Sequence, residues 1–163
     1  MLQEADREQY VVTCAVDSNV RCNPQTIKDF GLCDFHSYTL MQAVPVRLYE
    51  GSNQLRYLCQ LRNPWGSKEW IGPWSDSSVV WDKYPYVEQQ LNQRIEERSA
   101  SAMDGTSDHL SSNQFVLKKA KAGDTDNNDD GEFWILFKDF FAFFHSITIN
   151  YTRADFHHVH VSD

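Results

Sequence analysis

The chain has 163 residues, a formal net charge of −8 and 13% aromatic residues, enough length for one domain with a real core. The acidic balance excludes a general nucleic-acid binder, which needs a basic face, and leaves a solvated acidic surface or cation binding. No apolar run approaches the ~20 residues that span a bilayer, so no transmembrane segment is expected, and "MLQEADREQY" has no signal-peptide character.

Taken in order, "YVVTCAV" at residues 10–16 reads as a strand with Cys14 in the core. Cys14, Cys22, Cys33 and Cys59 form no CxxC pair and no zinc spacing. Without a secretory signal they are expected as reduced thiols in a cytoplasmic protein. "HSYTLMQAV" is a second strand, entered through a turn at His36. "VRLYEGSNQLRYLCQLR" reads as a hairpin turning at Gly51-Ser52-Asn53. In its second arm Leu55, Tyr57, Cys59 and Leu61 are apolar while Arg56, Gln60 and Arg62 are polar, the period of a half-buried strand. Pro64 cannot continue a ladder, so Asn63 is presented at a turn backed by the indole of Trp65.

"VEQQLNQRIEER" at residues 87–98 predicts a short helix, and the Ser/Ala/Asp/Gly stretch near 99–123 an exposed insertion. Order resumes with "DGEFWILFKDFFAFFHSITINYT". There Phe137, Phe140, Phe141 and Phe144 fall at i, i+3, i+4 and i+7, the buried stripe of a short helix, before a last strand. Asn150-Tyr151-Thr152 matches the glycosylation sequon, which carries no meaning in a reducing compartment. In the tail, His158 and His160 would share one face of a strand and could hold a transition metal with His157 nearby. The plainer reading of that tail is the start of a following domain.

Two groups of residues carry chemistry. In thiol proteases an imidazole takes the proton of a cysteine while an amide carbonyl fixes the ring's tautomer, and the groups meet in space rather than in sequence. His36 and Asn63 stand in the right chain order for that pair, although a lone histidine is more often structural. The second group is "DTDNNDDGE", with Asp124, Asp126, Asp129, Asp130 and Glu132. Asp126, Asn128, Asp130 and Gly131 fit positions 1, 3, 5 and 6 of an EF-hand, but the glutamate demanded at position 12 of that loop falls on Phe137. By itself the run reads as a solvated acidic turn.

"LRNPWGSKEWIGPWSDSSVVW" together with "DGEFWILFKDFFAFF" resembles the second half of the calpain protease core, and "GLCDFHSYTL" resembles that family's histidine strand. The similarity covers nearly the whole chain apart from residues 99–123. It implies an α+β fold, mainly antiparallel β with short helices, the β-rich half of a papain-like core. Residues 1–155 would be that subdomain and 156–163 a tail leading toward a next domain. It implies a calcium-dependent cysteine endopeptidase acting on protein substrates. His36 would be the general base, Asn63 its orienting partner, and Trp65 the indole shielding both at the cleft between the two halves. Calcium would be held by Glu69, Asp76, Asp130 and Glu132, with the carbonyl of Asn128. The reactive cysteine belongs to the family's first half, which this chain does not contain, so the chain alone is expected to be inactive. Phe35 departs from the glycine usual before the histidine, where it would crowd the cleft. Two other readings stand beside this one. The first is a catalytically degenerate, calcium-responsive scaffold. The second is a carbohydrate-binding β-domain displaying Trp65, Trp70, Trp74 and Trp81.

Overall fold

A computed structural model of the chain describes residues 10–19, 22–102 and 130–150. Strands β1 (Val11–Val16), β2 (His36–Arg47), β3 (Leu55–Arg62), β4 (Glu132–Leu136) and β5 (Phe144–Asn150) form one sheet. Its order is β4-β3-β2-β1-β5, and each neighbouring pair is antiparallel. Helices α1 (Pro24–Asp29), α2 (Val80–Lys83), α3 (Pro85–Ala102) and α4 (Phe137–Phe143) are short additions to it, α3 excepted. The fold is α+β and mainly antiparallel β, as expected.

The local signals explain the elements. Asn23 caps α1 by accepting from the Thr26 amide at 2.8 Å, and Pro24 opens the helix where no N–H is needed. β2 and β3 pair as the expected hairpin, from Thr39 opposite Arg62 to Arg47 opposite Leu55. A bulge between Leu40 and Gln42 shifts that register by one residue. One inserted residue reverses which face the next side chains take. Tyr38, Leu40 and Ala43 therefore join one core cluster, while Val44 and Val46 join the cluster on the opposite face.

Both faces of the sheet are thus covered near β3, and the half-buried alternation expected there is overturned. Leu58, Cys59, Gln60 and Leu61 are all buried, whereas Leu55 and Tyr57 are exposed at the hairpin end. The buried amide of Gln60 is satisfied by Gln42, whose Nε2 donates to Gln60 Oε1 at 2.7 Å, and by Glu132, which accepts at 3.3 Å. α1, Trp70 and α4 pack on the first cluster. On the second, Trp74 and Trp81 meet edge to face at 4.8 Å and cover Leu58 and Trp134, together with Val87 and Leu91 from α3. Trp70, Trp74 and Trp81 are buried core residues, and Trp65 alone of the four tryptophans read as displayed is exposed. That removes the aromatic platform a carbohydrate reading needs.

Two further expectations change. α3 begins at Pro85 and runs on to Ala102, longer at both ends than the helix expected at 87–98. Ala100 and Ala102 favour this. The Gln90 side chain ties α3 to the end of β2, accepting from Arg47 N at 3.0 Å and donating to Arg47 O at 2.8 Å. The phenylalanine stripe is also displaced. α4 buries Phe140 and Phe143 and passes to buried Phe144 in β5, while Phe137 and Phe141 face outward. The helix has only seven residues, too few turns for a full heptad stripe, and its two flanking strands set which side meets the core. The rest of the 99–123 stretch, Asp124, Asp126, Asn128, Asp129, the sequon's last two residues and His157, His158 and His160 lie outside the described residues.

Candidate active site

The turn into β2 is organised by Asp34. Its Oδ1 accepts from Ser18 N at 2.8 Å and from Phe35 N at 2.9 Å, joining the exit of β1 to the entry of β2. The hydrogen bonds from Ser18, with those of Phe35 and the charge of Lys28, hold this carboxyl below the usual range. Phe35 follows with φ of 50° and an exposure of 68%. That left-handed backbone suits glycine and costs a bulky residue about 1 kcal/mol. The glycine expected at this position therefore has a backbone reason, and the phenylalanine ring points to solvent.

His36 begins β2 and Asn63 directly follows β3, so the hairpin sets the two side by side despite 26 intervening residues. His36 Nε2 and Asn63 Oδ1 are 2.8 Å apart. The Asn63 side chain is fully buried and its orientation is fixed by its other bonds. Nδ2 donates to Ser67 O at 2.6 Å and Lys68 O at 3.1 Å, and Oδ1 also accepts from Trp65 N at 3.1 Å. With both amide hydrogens on carbonyls, the oxygen must face the imidazole. An oxygen acceptor requires the hydrogen on Nε2, which leaves Nδ1 with its lone pair in the neutral ring.

The indole of Trp65 lies 3.9 Å from the His36 ring, centroid to centroid, at 37°, while itself 61% exposed. The Tyr38 and His36 rings meet in a T-shaped contact, 4.9 Å between centroids. Lys68 Nζ stands 5.7 Å over the Trp65 ring. The imidazole is thus held by one hydrogen bond and two aromatic neighbours, with Nδ1 as its proton-accepting atom. None of the four cysteines is in a disulfide. Burial pushes the Cys59 thiol up to about 12 and the Cys14 thiol further, the opposite of an activated nucleophile. Cys33 Sγ stands 4.0 Å from Asn63 Nδ2, on the orienting partner.

Of the residues expected to hold calcium, the structure brings two to one turn. Glu69 Oε1 accepts from Gly131 N at 2.8 Å, and Asp130 Oδ1 accepts from the next amide, Glu132 N, at 2.9 Å. The Glu132 carboxylate is directed along the sheet instead, toward Gln60 at 3.3 Å and Arg62 Nε at 3.9 Å. Asp76 lies half-buried between Ser75 and α2. Among the described residues no group of three His, Cys, Asp or Glu side chains is placed to hold a metal ion. The described donors therefore do not form an assembled coordination sphere. Sequence reasoning placed Gly131 only at the turn position of an EF-hand pattern and did not foresee its bonds to Asn63 and Glu69. Its carbonyl accepts from Asn63 N at 2.7 Å, and its φ is 84°. The Asp-Gly-Glu tripeptide was the available signal.

Residues 1–116 match the model of the family described as calpain family cysteine protease. Calpain-9 of Mus musculus is 29% identical over 149 residues, 91% of this chain and 17% of the relative. The calpain-1 catalytic subunit of Mus musculus is 34% identical over 115 residues, 70% of this chain and 11% of the relative. Calpain-5 of Mus musculus is 31% identical over 122 residues, 72% of this chain and 14% of the relative. The chain therefore spans less than a fifth of the length of these relatives. On that similarity the chain belongs to the calpain family of cysteine proteases.

Proposed function

We propose that this chain is the β-rich half of a calpain-type endopeptidase core, residues 1–155, supplying the general base and its orienting partner to a cysteine carried by a first half. The observation that carries the reading is the 2.8 Å contact between His36 Nε2 and Asn63 Oδ1, with the amide locked by Ser67 and Lys68. In the assembled core His36 Nδ1 takes the thiol proton, the thiolate attacks a peptide carbonyl, and the imidazolium returns the proton to the leaving amine. Asn63 keeps Nε2–H in place throughout. Alone, the chain lacks a cysteine suited to this step and does not cleave peptides. Its four thiols and acidic surface fit the cytoplasm, and among the described residues no helix is long and apolar enough to cross a membrane.

The test mixes the chain with a separately produced cysteine-bearing first half of a calpain and follows cleavage of a fluorogenic peptide. Activity in the mixture only, abolished by His36→Ala, is the expected result. A mixture that forms a complex yet cleaves nothing would favour the second reading, a degenerate scaffold, which the phenylalanine at the left-handed position 35 supports.

Calcium belongs to this proposal as a regulator. Glu69 and Asp130 already sit on successive amides of one turn, and an ion would have to draw Asp76 and Glu132 toward them. Binding at about 1,000 times Kd adds about 4 kcal/mol of apparent stability. A calcium-specific rise in Tm, absent with magnesium and in a Glu69→Ala/Asp130→Ala variant, is expected. No rise at millimolar calcium would reduce these loops to solvated turns.

A further inference from the structure

The turn at Gly131 does more than offer ligands. Gly131 O accepts from the backbone N–H of Asn63 at 2.7 Å, and Gly131 N donates to Glu69 Oε1 at 2.8 Å. The Asn63 side chain returns to the same loop by donating to Lys68 O at 3.1 Å, one residue before Glu69. These bonds close a ring: Asn63 to Gly131, Gly131 to Glu69, and the chain before Glu69 back to Asn63. The packing inside it is tight. A Cβ on Gly131 would lie 2.6 Å from Asn63 O and 3.0 Å from the Cα of Gly66.

The far side of the ring is equally constrained. A Cβ on Gly31 would collide with the Glu69 carbonyl, and Ile71 N donates to Phe30 O at 3.1 Å. The backbone around Glu69 is thus clamped to the end of α1, and its carboxylate spans the gap to the Gly131 turn. From this geometry we infer that Glu69 is a positioning residue for the His36–Asn63 pair, acting through Gly131 by its hydrogen bond and without an ion. The inference rests on His36 and Asn63 being the proton-transfer pair.

The physical link is short. The two tautomers of a free imidazole differ little in energy, so the bond from Nε2 to Asn63 Oδ1 decides which is populated. That bond depends on where the asparagine backbone stands, and Gly131 sets it. A positioning group needs only to hold its partner within about 0.5 Å of the productive geometry. An amide oxygen can accept from Gly131 N as a carboxylate oxygen does, whereas an aspartate is one methylene too short.

Nitrogen-15 NMR of the His36 ring in this chain, in the presence of EDTA, tests the inference through Glu69→Gln and Glu69→Asp. The wild type shows distinct Nδ1 and Nε2 shifts, with the proton on Nε2. Glu69→Gln, which keeps the bond and removes the charge, retains that pattern. Glu69→Asp, which keeps the charge and loses the bond, brings the two shifts together. Retention of the wild-type pattern in Glu69→Asp overturns the inference, and so does its loss in Glu69→Gln. A wild-type ring with no preferred tautomer overturns the pairing itself. Independent of any variant, the Gly131 amide must exchange slowly in EDTA, and exchange at the rate of an open loop overturns the inference as well.

Discussion

Replacing Asn63 by alanine removes a buried polar knot between the turn after β3 and the start of β2. The side chain is fully buried and makes four hydrogen bonds to nitrogen and oxygen partners, to His36, Trp65 N, Ser67 O and Lys68 O, at 2.6–3.1 Å. Each contributes about 1 kcal/mol net, and the two carbonyls and one amide left behind cost more wherever water cannot reach them. The expected loss is about 4 kcal/mol, a large share of the roughly 5–15 kcal/mol that holds a domain together. With a urea m value of about 2 kcal/mol/M, the unfolding midpoint falls by roughly 2 M. Equilibrium urea unfolding followed by tryptophan fluorescence reads this directly. A midpoint shift under about 0.5 M with an unchanged slope would refute the reasoning, because the amide would then be organising nothing around it.

Gly131→Ala is expected to destabilise the chain by at least about 2 kcal/mol, since a side chain at φ 84° is strained and its Cβ meets the Asn63 carbonyl at 2.6 Å; thermal unfolding checks it, and a loss under about 1 kcal/mol would mean the turn yields easily. The thiols divide by burial. With iodoacetamide near pH 8, half-exposed Cys22 and Cys33 are expected to label in the folded chain, whereas Cys14 and Cys59 label only in denaturant. Cys59, pushed up to about 12, keeps a thiolate fraction of about 10⁻⁴ at that pH. Mass spectrometry of the labelled peptides reports it, and rapid native labelling of Cys59 would contradict the buried placement of β3.

Much of this protein was legible locally. Strand-forming segments located β1, β2 and β3, Gly51 marked the hairpin, and Pro64 marked where β3 had to stop. The order of His36 and Asn63 was compatible with a proton-transfer pair, and the resemblance to the calpain core singled the two out. These features depend on a few neighbouring residues, because strand period, turn chemistry and the missing proline N–H are properties of the local chain.

What the chain could not state was which elements would cover the sheet. An extra residue at the Leu40/Gln42 bulge sends Val44 and Val46 to the opposite face, and only the layer of Trp74, Trp81 and α3 reveals why that face must be apolar. The same layer buries Leu58 and Gln60, which period alone assigns to solvent. Of the four phenylalanines spaced as a stripe, the flanking strands chose Phe140 and Phe144 for the core, together with Phe143. Gly131 became part of the site through bonds to residues more than sixty positions away. Sequence determined the local conformations and supplied His36 and Asn63 as the candidate pair. Tertiary structure decided burial, register and the ring that holds Asn63, because those depend on contacts between segments that carry no local trace of one another.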